Sequence, residues 1–284
     1  MSWIRPAEVN DTLLPDSYKN PIFLGKRMGS RLRLRLKLVV LLCASSQILT
    51  GCVSTSARPL DGDRAVVDYM NLAKGYLQEG FTEKAVKPLE RALEIEPNSA
   101  SVYGVLGVTY QRQGEDQLAE ESFKRALAID SSASDIRNNY GVFLFSKNRL
   151  EDAYEQFELA SRDVGYSERS RIFESAGVVA LQLGKTSLAK KHFIRALRLN
   201  NGSSRANLEL AEIYKEEGDN YKAWRYYQAF DESAGQNARA LLLGIQLATV
   251  NGVHGKAASY ALRLERLYPG SKELQQYRSQ LGYE

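Results

Sequence analysis

Cys52 is the side chain of this sequence best placed to do chemistry. It follows Leu49-Thr50-Gly51. A thiol is the one group in that run nucleophilic enough to be alkylated by a lipid donor, and Gly51 leaves room for a peptidase to cut before it. The other candidates are weaker. Two histidines occur, His192 and His254; the first sits beside Phe193 on a helical stretch and the second in a turn, neither at ligand spacing to a carboxylate. Gly184-Lys185-Thr186 looks like the end of a phosphate-binding loop, but the glycine needed five positions earlier is Val179 and no strand precedes it. The acidic runs Glu115-Asp116 and Glu216-Glu217 fall at turns and read as solvated faces. No nucleophile is paired with a base, and no metal or cofactor set is present. The chain reads as a non-enzyme without a small-molecule substrate.

The elements before Cys52 give the thiol its setting. Arg31, Arg33, Arg35 and Lys37 form a positive run, and Leu38 to Leu49 form an apolar run too short to span a bilayer. Charged region, apolar region and small residues at the cut make a secretory signal over residues 28–51. Ending in Leu-Thr-Gly-Cys, it resembles the lipobox of bacterial lipoproteins, in which the cysteine becomes the lipidated first residue; the plainer alternative is a secretory signal with an incidental cysteine. Met28 stands just before the basic run, so residues 1–27, with Pro6, Pro15, Pro21 and no periodicity, read as a mis-assigned extension. Removal of residues 1–51 takes away 8 of 38 Lys and Arg and 3 of 34 Asp and Glu, leaving a net charge of −1 in place of +4. The precursor's basicity is therefore no evidence for nucleic-acid binding. Cys43 lies in the signal, so no thiol remains for a disulfide, and covalent lipid on Cys52 is the one prosthetic group expected. Residues 52–64 read as the lipidated N-terminus and a flexible tether.

From Ala65 to Glu284 the chain repeats itself. Tyr69-Leu72-Ala73-Tyr76-Gly80-Ala85-Leu89-Ala92-Pro97 is followed by Tyr103-Leu106-Gly107-Tyr110-Gly114-Ala119-Phe123-Ala126 at a spacing of 34. Segments around Tyr140, Phe173 and Leu210 continue the series. This is the tetratricopeptide pattern, and it predicts an all-α superhelix of about six helix-turn-helix units with a C-terminal capping helix. Gly107 against Ala119 and Gly141 against Ala153 should allow close helix approach. Gly80, Gly114, Gly184 and Gly218 should end each first helix in a left-handed cap, with Asn148 as the substitute in the third unit. In the sixth unit, Leu242-Leu243-Gly244-Leu247 fits the first helix, but Gly252-Val253-His254-Gly255 reads as a lengthened turn with a slipped second helix. Ser271 should cap a last helix with Leu274, Tyr277 and Leu281 on one face.

In this architecture the first helices line a concave wall. The positions that point inward, Met70, Leu77, Val108, Asn138, Asn139, Val142, Phe145, Val178 and Leu181, form a mostly apolar strip with two asparagines set in it. Asparagine both donates and accepts, so the strip suits a partner's backbone laid in a groove. The same residues could instead pack between neighbouring helices with the asparagines hydrated.

Asn138–Leu144, Tyr166–Glu174, Gly235–Ile245, Ala257–Tyr260 and Leu267–Ser271 closely resemble the type IV pilus biogenesis/stability lipoprotein family, PilW or PilF, with the likeness running from about Met28 to Tyr277. The resemblance implies a pilotin: a lipoprotein on the periplasmic face of the outer membrane that helps secretin subunits localise and multimerise. Val53 fits, since an aspartate there would favour inner-membrane retention. The alternative is a lipid-anchored scaffold for another envelope assembly complex.

Overall fold

The computed structural model describes residues 62–233 and 237–281, which belong to a compact unit spanning Pro59–Glu284. The signal, Cys52 and the tether up to Asp61 lie outside the described residues. The described chain is all-α, with no strand, and none of its helices is long and apolar enough to cross a membrane.

Six helical hairpins follow one another: α1 (Gly62–Gln78) with α2 (Thr82–Ile95), α3 (Ala100–Gln113) with α4 (Asp116–Ile129), and α5 (Ser134–Ser146) with α6 (Leu150–Ala160). Then come α7 (Arg169–Gln182) with α8 (Thr186–Leu199), α9 (Ser204–Glu216) with α10 (Asn220–Ser233), and α11 (Ala238–Val250) with α12 (His254–Leu267). A last helix, α13 (Lys272–Gln280), packs on α11. Within each hairpin the two helices pack on each other, and each second helix also meets the first helix of the next unit. The result is a tetratricopeptide superhelix. Helix α1 begins at Gly62, three residues before the expected boundary at Ala65, because Asp63 sits favourably in the first turn of a helix.

One backbone device ends every first helix. Gly80, Gly114, Gly184, Gly218 and Gly252 take positive φ between 70° and 83°, and Asn148 takes 57° in the third unit. The amide after each of these residues returns to a carbonyl in the last helical turn, as Phe81 N does to Tyr76 O at 2.8 Å and Arg149 N to Leu144 O at 3.0 Å. This closes the carbonyls left open at the helix end. The sixth unit does the same, since Val253 N donates to Ala248 O at 2.8 Å. Its turn is therefore of ordinary length and α12 starts in register at His254, contrary to the expected slip. What differs is the glycine. Seven positions before the turn residue, Gly107, Gly141, Gly177 and Ala211 are small, whereas the sixth unit has Ile245, and Gly244 stands one position earlier.

The tight contacts also differ from expectation. A Cβ on Gly107 would meet the Phe123 ring at 2.7 Å, and one on Gly141 would meet Phe157 at 2.8 Å. The small residue thus seats an aromatic ring of the second helix; Ala119 and Ala153 are buried but are not the nearest neighbours. Gly244 instead makes room for Tyr227 of the preceding unit, whose hydroxyl donates to Ala240 O at 2.8 Å. Apolar packing divides into four clusters, of which the last runs from α9 to α13 through Leu208, Trp224, Tyr227, Leu241, Leu264 and Leu274. Ser271 caps α13 by accepting from Leu274 N at 3.2 Å. Leu274 is buried and Tyr277 packs beside it, but Leu281, just past the helix, is exposed.

Candidate partner-binding groove

The first helices of units one to three enclose a groove of about 380 Å³ between α1, α3 and α5. Its floor and lower walls are Met70, Leu77, Val105, Val108 and Ile136, and its rim carries Lys74, Gln78, Ser101, Arg112, Asp135 and Asn139. The floor is shallow because α3 and α5 approach closely at Gly104, where a Cβ would meet Ile136 at 2.9 Å. Arg112 Nη1 donates to Leu77 O at 2.7 Å and ties α3 to the end of α1, while the Ser101 hydroxyl points at Met70 Sδ at 3.5 Å. Apolar floor, amides and both signs of charge at the rim suit an extended or helical peptide.

Of the residues expected to form the groove, Met70, Leu77, Val108 and Asn139 come together here. Asn138 is half-buried and Val142 is 42 % exposed, and neither lines this groove. Phe145 packs against the core of units two and three. Val178 and Leu181 pack against the cluster of units four and five. The sequence reading misses Gln78, Ser101, Gly104, Val105, Asp135 and Ile136. The three helices offer the same repeat positions, Ser101 with Asp135, Gly104 with Met70 and Val105 with Asn139, but the groove runs from the C-terminal half of α1 to the first turns of α5. The detectable signal is Gly104, three residues before Gly107: small residues about one turn apart let two neighbouring helices come close, Ile136 at the first and Phe123 at the second.

The fifth unit is charged on the matching face. Arg239 donates to Glu212 Oε1 at 2.7 Å and pairs with Glu209 at 2.9 Å, joining α11 to α9 beside a smaller concavity of about 270 Å³ that Lys215 and Lys272 also line.

The remaining polar clusters are structural. His192 is buried; its Nε2 shares a 2.8 Å hydrogen bond with the Tyr154 hydroxyl, and its ring stacks on Phe173 at 6.0 Å. Burial pushes the imidazole below its usual pKa, against the opposing charge of Glu158 at 3.6 Å. Glu120 joins α4, α5 and α6: it accepts from Arg149 at 2.8 Å and Tyr140 at 3.1 Å and pairs with Lys124 at 2.8 Å. Those hydrogen bonds hold its carboxyl at about 2. The turn acids are paired across units, Asp116 with Lys147 at 2.5 Å and Glu217 with Lys190 at 2.6 Å. Among the described residues no group of His, Cys, Asp and Glu could hold a metal ion.

Tetratricopeptide repeat models match residues 63–132 and 175–238. The type IV pilus assembly protein PilF of Pseudomonas aeruginosa is 44% identical over 251 residues, 87% of this chain and 98% of its own. A solved structure from a functional characterization of Pseudomonas aeruginosa PilF superposes with a TM-score of 0.75 at 46% identity, over 77% of this chain and 99% of that one. The crystal structure of PilW, described as a widely conserved type IV pilus biogenesis factor, gives 0.65 at 27% identity, over 75% and 98%. A repeat scaffold of this kind is not an enzyme. With nearly the whole of that relative matched at such identity, the chain belongs to the family of the type IV pilus assembly protein PilF.

Proposed function

We propose that this protein serves type IV pilus biogenesis as a pilotin, a lipid-anchored scaffold on the periplasmic face of the outer membrane that binds secretin subunits and promotes their localisation and multimerisation. The observation that supports this reading is the apolar-floored groove of α1, α3 and α5, set in a chain that matches PilF over nearly its full length. The lipid on Cys52 would supply the anchor. Acyl chains contribute about 0.8 kcal/mol per buried CH₂, so several chains hold the scaffold permanently. A tether of residues 52–61 then keeps a bound client close to the membrane at high effective concentration.

Two measurements test this. Deletion of the gene should leave the secretin as monomer and abolish twitching motility; unaltered secretin multimers would overturn the role. Replacing Met70 and Val108 with Asp should remove the secretin from a membrane pull-down while the helical circular dichroism stays intact. Recovery of cell-wall synthases in place of the secretin would favour the other envelope machine.

A further inference from the structure

Asn207 breaks the pattern of its own repeat. Eleven positions before the turn residue the other units carry Tyr69, Tyr103, Arg137, Phe173 and Leu241, of which Tyr103, Arg137 and Phe173 meet Arg125, Gln156 and Arg195 of their second helices. The fifth unit has Asn207. A second position changes with it. Six residues after the turn, the third unit has Tyr154, whose hydroxyl meets His192 beside the Phe173 ring. The fourth unit has Lys190 there, drawn instead over the Tyr214 ring at 5.0 Å and onto Glu217. Where Tyr154, His192 and Phe173 meet between units three and four, the matching positions between units four and five hold Lys190, Tyr226 and the short Asn207.

A cavity of about 340 Å³ lies on the fifth unit, lined by Asn207 and Tyr214 of α9 and by Lys222, Arg225, Tyr226 and Ala229 of α10. Asn207 is 3% exposed, and its amide Nδ2 has no hydrogen-bond partner among the described residues. A buried donor of this kind calls for an acceptor. The rest of the lining narrows which one. No acidic side chain lines the cavity; Lys222 is held by Asp219 at 2.7 Å, whereas Arg225 makes no ion pair among the described residues. Tyr214 and Tyr226 stack 5.4 Å apart with their rings within 4° of parallel, giving an apolar wall. The volume is at the small end of ligand sites and suits one side chain rather than a cofactor.

We propose that this cavity is a second binding site, one that receives an acidic side chain of a partner polypeptide. The carboxylate accepts from Asn207 Nδ2 and pairs with the Arg225 guanidinium, and its methylene stem lies against the tyrosine pair. The site shares no residue with the groove of α1, α3 and α5, so either can fail without the other.

The test is a titration of the isotope-labelled full chain, observing the side-chain amide resonances of Asn207. The probe is acetyl-Ala-Glu-Ala-amide, compared with acetyl-Ala-Gln-Ala-amide and with inorganic phosphate. The expected result is a saturable shift with the glutamate peptide, at least about tenfold weaker with the glutamine peptide, as loss of a charge-assisted contact predicts. Arg225→Gln, at an exposed position, should weaken binding about as much, and Asn207→Phe, which installs the residue of the fourth unit, should abolish it with helical content retained. Equal response to both peptides, no saturable shift, response to phosphate alone, or a trapped water as the sole partner of the Asn207 amide would each overturn the proposal.

Discussion

The same substitution at two helical glycines, Gly75→Ala and Gly107→Ala, should change stability in opposite directions. At Gly75, among the described residues, an added Cβ meets nothing within 4 Å. The only effect left is helix propensity, a gain of about 1 kcal/mol. At Gly107 the same methyl would lie 2.7 Å from two carbons of the Phe123 ring. Carbon pairs rest at roughly 3.5–4 Å, so something must move by about 1 Å. The ring has nowhere to go: it is fully buried, and Tyr140 and Phe143 stand against it at centroid distances of 5.5 and 5.9 Å. Overpacking of that kind costs about 1–3 kcal/mol, which outweighs the propensity gain and leaves a net loss of up to about 2 kcal/mol. Urea denaturation of both variants, with the slope m checked for constancy, measures the difference directly. Adding Phe123→Leu to the Gly107 variant should recover part of the loss, because contacting residues couple. A Gly107→Ala midpoint at or above that of Gly75→Ala would refute the claim that this glycine is a seat for the ring.

Three further outcomes are expected. The depressed carboxyl of Glu120 contributes stability that is fully present above its ordinary value near 4.5 and is lost as pH falls toward about 2. Glu120→Gln should therefore cost at most about 1 kcal/mol at neutral pH and flatten the acid limb of a stability-versus-pH curve. Tyr227→Phe removes a buried hydroxyl that donates to Ala240 O, and should cost about 1 kcal/mol in thermal or chemical denaturation. Arg239→Ala should destabilise by about 1 kcal/mol or less at low ionic strength, with the difference shrinking in 1 M salt, since the guanidinium is nearly half exposed.

The repeat grammar was legible because it is local. Gly114 and Asn148 announce a left-handed cap whatever lies around them, and Ala119 with Phe123 mark a buried second-helix face by spacing alone. Contacts that cross a unit boundary were not legible. Gly244 looked like the small residue of its own hairpin, but it accommodates Tyr227 from the hairpin before. The groove is legible in part. Met70 and Val108 follow from the inward face of a first helix, whereas Ser101 and Asp135 enter because the groove reaches the first turns of α3 and α5. Spacing groups Leu281 with Leu274, yet the helix ends at Gln280 and leaves it exposed.

The crossing of Tyr227 into α11 has a mechanical consequence. Because the fifth unit, the sixth unit and α13 share one cluster, they cannot be peeled off one hairpin at a time. Units two to four share a cluster of their own, from Ala119 to Val179, so a chain pulled from its ends should lengthen in a few large steps rather than hairpin by hairpin. The stretch from Ser204 to Gln280 should release in a single event, worth roughly 250 Å of contour at about 3.3 Å per residue. The last two hairpins and α13 would thus answer a load as one block.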